Sequence, residues 1–165
     1  MGDAVSVSRS YKVSPAMVSL RLAEPRDCER IWKWRNDGET RRASFDTAEI
    51  PWDLHQRWFD ESLDRADRKI YIIVVNDLSE GVARLDIVGF EAAVSIQVAP
   101  ECRSKGVGTI GLRKLVVIAF RDLKLRRLVA SVKDDNPASL SAFKKARFTE
   151  MKRSAGVVTL QRQRP

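Results

Sequence analysis

The stretch VSIQVAPECRSKGVGTIGLRKL, residues 94–115, reads as a strand, a tight loop and a helix in immediate succession. The apolar run ends at Pro100, and the loop carries Arg103, Gly106 and Gly108. Apolar residues then recur at Ile110, Leu112, Leu115, Ile118, Ala119 and Leu123, which is helical spacing. Glycines let backbone amides approach an anion closely, and a helix N-terminus adds the positive end of its dipole. A strand, loop and helix in this order form a cradle for a diphosphate. A Walker loop would close on Gly-Lys-Ser/Thr, where this chain has Gly108-Thr109. A dinucleotide fold would need a third glycine and an acidic residue at the end of the next strand.

Upstream of this unit, residues 17–22 alternate as a strand. Asp27 caps a helix through Trp34 that buries Ile31 and Trp34 and turns Arg30 outward. Pro51 opens a second helix, PWDLHQRWFDESL, at a position where its missing N–H costs nothing. Strands follow at residues 69–76, 81–88 and 91–98. Downstream, LVASV at residues 128–132 is a buried strand, and Asp135 or Asn136 caps a helix over PASLSAFKKA, residues 137–146. Short strands at 148–151 and 157–160 close the chain. This order predicts a mixed sheet flanked by helices, an α/β or α+β domain. Residues 1–15 lack periodicity and read as a loose extension ahead of a single domain, residues 16–165.

Composition narrows the function. The chain has 165 residues, 44% apolar and 32% charged, as expected of one globular domain. No apolar run reaches the ~20 residues of a membrane helix, and the N-terminus lacks the pattern of a secretory signal. Two cysteines, Cys28 and Cys102, and one histidine, His55, make a metal centre a poor expectation. These features predict a cytoplasmic protein without membrane contact. The net charge of +8 attracts polyanions. Its basic residues are scattered, in runs no longer than pairs such as Arg41-Arg42, so a nucleic-acid partner is not expected. A phosphate-rich small molecule fits as well.

With its downstream context, the loop resembles that of the GNAT superfamily of acetyl-CoA-dependent N-acetyltransferases. Residues 103–108, RSKGVG, match that family's R/Q-x-x-G-x-G/A pyrophosphate loop, and DNPASLSAFKKARF from Asp135 is similar to its second motif. The resemblance implies a central, mostly antiparallel sheet, splayed between the strands at 91–98 and 128–132 and flanked by helices. It further implies that acetyl-CoA is the acetyl donor. Its pantetheine arm would bond the backbone edge at Ile96 and Val98. Its pyrophosphate would rest on the loop from Arg103 through Ser104, Lys105, Gly106, Val107, Gly108 and Thr109. Asn136 would contact the cofactor, with Ser139 nearby. Phe143 stands where many members carry a tyrosine that protonates the departing thiolate, so the acid is unassigned. Its ring is expected to point at the thioester sulfur. Arg147 replaces the usual glycine before the final aromatic.

The acceptor half is expected between the first two strands, where all four tryptophans fall. Trp32, Trp34 and Phe59 read as helix packing. The string WRNDGETRRASFDTAEIPWDLHQRWF resembles a narrower group, the bacterial amino-sugar N-acetyltransferases of nonulosonic-acid pathways such as that to pseudaminic acid. That resemblance implies a nucleotide-linked amino sugar as acceptor, with Phe45 and Trp58 bordering it and Arg41 or Arg42 meeting its diphosphate. Glu91 and His55 are the candidate bases. A second copy of the chain stays open as a partner. So do two other functions: acetylation of a protein N-terminus or another small amine, and a non-catalytic acetyl-CoA-binding module.

Overall fold

Period-2 alternation along apolar strands, interrupted by three helical segments, gives this chain a sheet with covered faces. The computed structural model describes residues 12–165, so residues 1–11 of the expected extension lie outside the described residues. Val13 is already buried, and its N–H donates to the Lys105 carbonyl at 3.1 Å, so this residue is tied to the loop.

Seven strands, β1 (Val18–Leu22), β2 (Arg68–Val75), β3 (Leu78–Val88), β4 (Glu91–Val98), β5 (Arg127–Lys133), β6 (Thr149–Ser154) and β7 (Val157–Gln163), form one sheet. Their order is β1-β2-β3-β4-β5-β7-β6. Every neighbouring pair is antiparallel except β4 and β5. The helices are α1 (Cys28–Asn36), α2 (Gly38–Ala43), α3 (Trp52–Leu63), α4 (Val107–Val117) and α5 (Pro137–Lys145). The mixed, mostly antiparallel sheet is the one expected.

One face of the sheet presents Ala83, Leu85, Ala92, Val94, Leu128, Ala130, Val132, Val158 and Leu160, which pack with Leu112 and Leu115 of α4 and Leu140 and Phe143 of α5. The opposite face offers Ile70, Ile72 and Val82 to Ile31 and Trp34 of α1 and Phe59 of α3. α4 lies so close to β2 that a Cβ at Gly111 would stand 2.8 Å from Ile73 Cδ1. Asn76 and Asp77, both at positive φ, turn β2 into β3.

Two local features differ from the sequence expectation. α2 is a helix where the sequence reads only as polar. Its six residues lack an apolar stripe, and it is held by Asp37, whose carboxylate accepts the Thr40 N–H at 3.1 Å. The helix expected over residues 108–123 is α-helical only to Val117 and then widens into a π-helical turn, Ile118–Asp122, closed by Leu123 N–H donating to Ile118 O.

Candidate functional site

β4 and β5 are paired only at Glu91–Arg127, Ala92–Leu128 and Ala93–Val129. Beyond Ala93 the register ends, and the sheet opens between Val94–Val98 of one strand and the rest of the other. The Ala99 N–H donates to Glu80 O at 2.8 Å, which sets the alternation along β4. Ala93, Ser95 and Gln97 therefore exchange their backbone bonds with β3, the Val94 N–H closes the last bond to β5, and the Val94 C=O and both backbone groups of Ile96 and Val98 point toward the opening. Ile96 and Val98 are thus where the family resemblance needs a free edge.

The loop after β4 ends at the same opening. Gly106 caps α4 at φ +87°, and the first intrahelical bond is Ile110 N–H to Gly106 O. The N–H groups of Val107, Gly108 and Thr109 precede it and have no intrahelical partner. A Cβ built on Gly106 meets nothing within 4 Å, so the space beside this cap residue is open. Val107 sends its side chain into the core at 1% exposure, which holds the backbone of the turn in place. Lys105 folds back, its Nζ donating to Glu101 O at 2.8 Å. Three amides at a helix N-terminus beside an unpaired strand edge fit a diphosphate and an amide-bearing arm.

Several expected site residues are engaged elsewhere. The Arg103 guanidinium donates to Asp37 Oδ2 at 2.6 Å, Thr40 Oγ1 at 2.8 Å and Glu39 Oε2 at 2.7 Å, so its charge is spent on α2 and not on the loop it belongs to. The same bond holds the Asp37 carboxyl below the usual carboxylate range. Asn136 caps α5, its Oδ1 accepting the Ser139 N–H at 3.1 Å, which commits that oxygen and that N–H to the helix start.

Neither candidate base reaches the opening. Glu91 lies at the paired end of β4, where its carboxylate accepts from Arg127 Nη2 at 2.6 Å. It stands seven residues from Val98, about 23 Å along an extended strand. His55 is 3% exposed, with Nε2 3.0 Å from Cys28 O and its ring stacked on Phe59 at 6.0 Å. Burial pushes its pKa down despite the bond to Cys28 O, so it is a neutral packing residue between α1 and α3. Phe143 is 2% exposed and meets Phe148 edge-on at 5.0 Å, so its ring is part of the core.

The acceptor candidates also separate. Phe45 is 58% exposed, and Arg42 is exposed beside Lys133, whose Nζ donates to Arg42 O at 2.9 Å. Arg41 is committed to its own loop, with Nε donating to Thr47 O at 3.0 Å. The Trp58 ring is taken by two guanidiniums, those of Arg68 and Arg84, each 5.6 Å from its centroid. The Trp34-Arg35-Asn36 triplet fastens the segment before α3. Trp34 is buried, Arg35 Nη2 donates to Asp46 O at 2.8 Å, and Asn36 bonds both the N–H and the C=O of Ile50.

Sequence reading did not single out Gln97, whose Oε1 is buried without a partner among the described residues. Period-2 placement one residue before Val98 was the available signal. Neither cysteine offers a thiolate at neutral pH. Burial and then Asp60 raise Cys28, and burial and then the Glu80 carboxylate push Cys102 up to about 12. Among the described residues no helix is long and apolar enough to cross a membrane, and no cluster of three His, Cys, Asp or Glu could hold a metal.

A family model described as an acetyltransferase (GNAT) domain matches residues 18–149. YwnH of Bacillus subtilis (strain 168), whose name gives phosphinothricin acetylation as a provisional activity, is 30% identical over 159 residues, covering 89% of this chain and 93% of YwnH. Acetyltransferase PseH of Campylobacter jejuni subsp. jejuni serotype O:23/36 (strain 81-176) is 26% identical over 124 residues, covering 74% of this chain and 77% of PseH. Among solved structures, AAC(6')-Ib in complex with paromomycin and acetyl-CoA superposes with a TM-score of 0.79 at 19% identity, covering 89% of this chain and 93% of that one. That last likeness is one of fold.

Proposed function

The chain belongs to the acetyltransferase (GNAT) domain family, and on that premise we propose that it moves an acetyl group from acetyl-CoA to the amine of a nucleotide-linked amino sugar by direct attack. The observation that carries the donor half is the end of β4–β5 pairing at Ala93, beside the unbonded amides of Val107, Gly108 and Thr109. When bound, acetyl-CoA supplies the acetyl group as a thioester. The loop amides would hold its diphosphate, and the Ile96 and Val98 backbone its pantetheine arm. The Val98 N–H, aimed into the opening, is the donor available to steady an oxyanion.

Direct attack is supported by the protonated state of Cys28 and Cys102, which leaves no protein thiolate to carry the acyl group. Gln97 Oε1, buried and unpaired one residue from Val98, would accept a hydrogen bond from the incoming amine. With Glu91 and His55 engaged elsewhere, the amine proton would leave through water as the C–N bond forms and the C–S bond breaks, and the released CoA thiolate would take up a proton from that water.

The sugar-nucleotide acceptor is supported by the resemblance of residues 34–59 to the amino-sugar N-acetyltransferases and by the exposed Phe45 and Arg42. A second reading, an amino-acid phosphinate acceptor, is favoured by the longer likeness to YwnH. Thermal shift with acetyl-CoA tests the donor half. A thiol-release screen of UDP- and dTDP-linked amino sugars against phosphinothricin and free peptides tests the acceptor. Phe45→Ala should raise KM for the sugar nucleotide well above any change for acetyl-CoA. A preference for free peptides, or equal weakening of both substrates, overturns the sugar-nucleotide reading.

A further inference from the structure

The polar strip on the α1/α3 side of the sheet holds a cation arrangement that the donor site does not use. Arg68 of β2 and Arg84 of β3 share a single carboxylate, Asp86. Arg68 Nε donates to Asp86 Oδ1 at 2.6 Å, and Arg84 Nε donates to Asp86 Oδ2 at 2.8 Å. Arg68 has a further bond, from Nη1 to Ser62 Oγ at 3.0 Å. Two guanidiniums against one carboxylate leave a surplus positive charge. Arg84 spends only its Nε, so both of its Nη groups lack a hydrogen-bond partner among the described residues. Its side chain is 34% exposed, and it lies against the Trp58 ring at 5.6 Å. Contact with that ring and the Nε bond to Asp86 together limit the freedom of the planar head.

The surroundings give this head a direction. Arg84 pairs in register with Ser95, and Asp86 with Ala93. Ala93 and Ser95 are small and exposed, as is Ser131 on the same face of β5. These short side chains leave the sheet surface between Arg84 and the opening thinly covered. Gln97, whose Oε1 is buried and unpaired, sits diagonally from Arg84 across the β3–β4 pair. Such diagonal neighbours lie about 7–8 Å apart at their backbones.

We propose that Arg84, backed by Trp58, Asp86 and Arg68, is the binding site for an oxyanion carried by the acceptor, whose amine lies toward Gln97. This rests on the acetyl-transfer reading of the opening and adds the acceptor's second functional group. A carboxylate, phosphinate or phosphate oxygen pair matches the two free Nη groups of Arg84 as a bidentate contact. Cationic amines without an oxyanion are disfavoured there by the surplus charge.

The test is calorimetric binding to the full chain in the presence of CoA, so that no turnover is needed. The probes are phosphinothricin, a UDP-linked amino sugar and spermidine. One or both oxyanion probes should bind more tightly than spermidine, and which one binds identifies the source of the oxyanion. Arg84→Gln should weaken the oxyanion probe by about 10- to 100-fold, the range expected for a lost charge-assisted contact. Arg84→Lys should recover part of that loss, and CoA affinity and melting temperature should stay at wild-type values in both variants. Failure of both oxyanion probes to bind, tighter binding of spermidine, or wild-type affinity in Arg84→Gln overturns the proposal. Loss of CoA binding by the wild-type chain would instead overturn the acetyl-transfer reading.

Discussion

Replacing Gly106 by valine separates the fold from its ligand. Gly106 sits at φ +87°, a conformation that costs an L-residue about 1–2 kcal/mol, with more for a β-branched side chain. Apart from the chain neighbours, no protein atom lies within 4 Å of the built Cβ, so the first carbon of the side chain meets open space. A loss of about 2–3 kcal/mol is tolerable against the 5–15 kcal/mol typical of a domain, and should lower the melting temperature by roughly 4–12 °C. The new side chain would stand at the cap of α4, next to the unbonded amides of Val107, Gly108 and Thr109. A charge-assisted hydrogen bond contributes about 1.5–3 kcal/mol, so losing one or two weakens the ligand by on the order of 10²-fold. The assay is calorimetric titration with acetyl-CoA beside a thermal melt. Gly106→Ala should fall between valine and wild type. Wild-type acetyl-CoA affinity in a folded Gly106→Val protein would refute the assignment of the loop.

Three further substitutions test what buried side chains contribute. Burial holds His55 below its ordinary pKa, so the unfolded chain takes up its proton first as pH falls below about 6.5, and wild-type stability should decline there. His55→Gln should flatten that slope and leave the pH profile of kcat unchanged; a lost ionisation in kcat would restore His55 as a base. Burial raises the Asp27 carboxyl, but the bonds from Arg21 (2.7 Å to each oxygen) and the Glu24 N–H more than offset this and leave it depressed. Its contribution is therefore present above the unfolded pKa of about 3.9 and is lost as pH falls through the lower folded value. Asp27→Asn should cost about 2–3 kcal/mol at pH 7 by denaturant titration, less than a fully buried pair because Arg21 is 29% exposed, and the cost should shrink as pH falls through the folded value. An unchanged midpoint at pH 7 would contradict this account. Phe143→Tyr places a hydroxyl at a 2%-exposed position and should cost about 1–3 kcal/mol without raising kcat. A higher kcat at unchanged stability would mean that the ring does reach the thioester.

The strand–loop–helix at residues 94–115 was legible because its signals are local. Alternation makes β4, glycine makes the turn, and 3.6-residue spacing makes α4, all within one short stretch. The tryptophan-rich segment was legible for the same reason, since Trp34 and Phe59 fall on the apolar sides of their helices. Helix α2 was not. Its Asp37 cap is local, but its Arg103 clamp comes from 66 residues away along the chain. The motif arginine and the capping asparagine were read by residue type, and type does not reveal which of several partners a guanidinium or an amide will choose.

The sequence by itself determined the cradle and the faces of the strands, because backbone amides at a helix start and side-chain alternation follow from the order of residues alone. Only the tertiary structure decided where β4 and β5 part, since the register between strands distant in sequence is fixed by packing on both faces. It also decided which charges are spent. Glu91 finds Arg127, Arg103 finds Asp37, and Arg84 shares Asp86 with Arg68, leaving both Nη groups of Arg84 uncommitted. Long side chains settle such pairings by distance in space, which the linear order of residues does not contain.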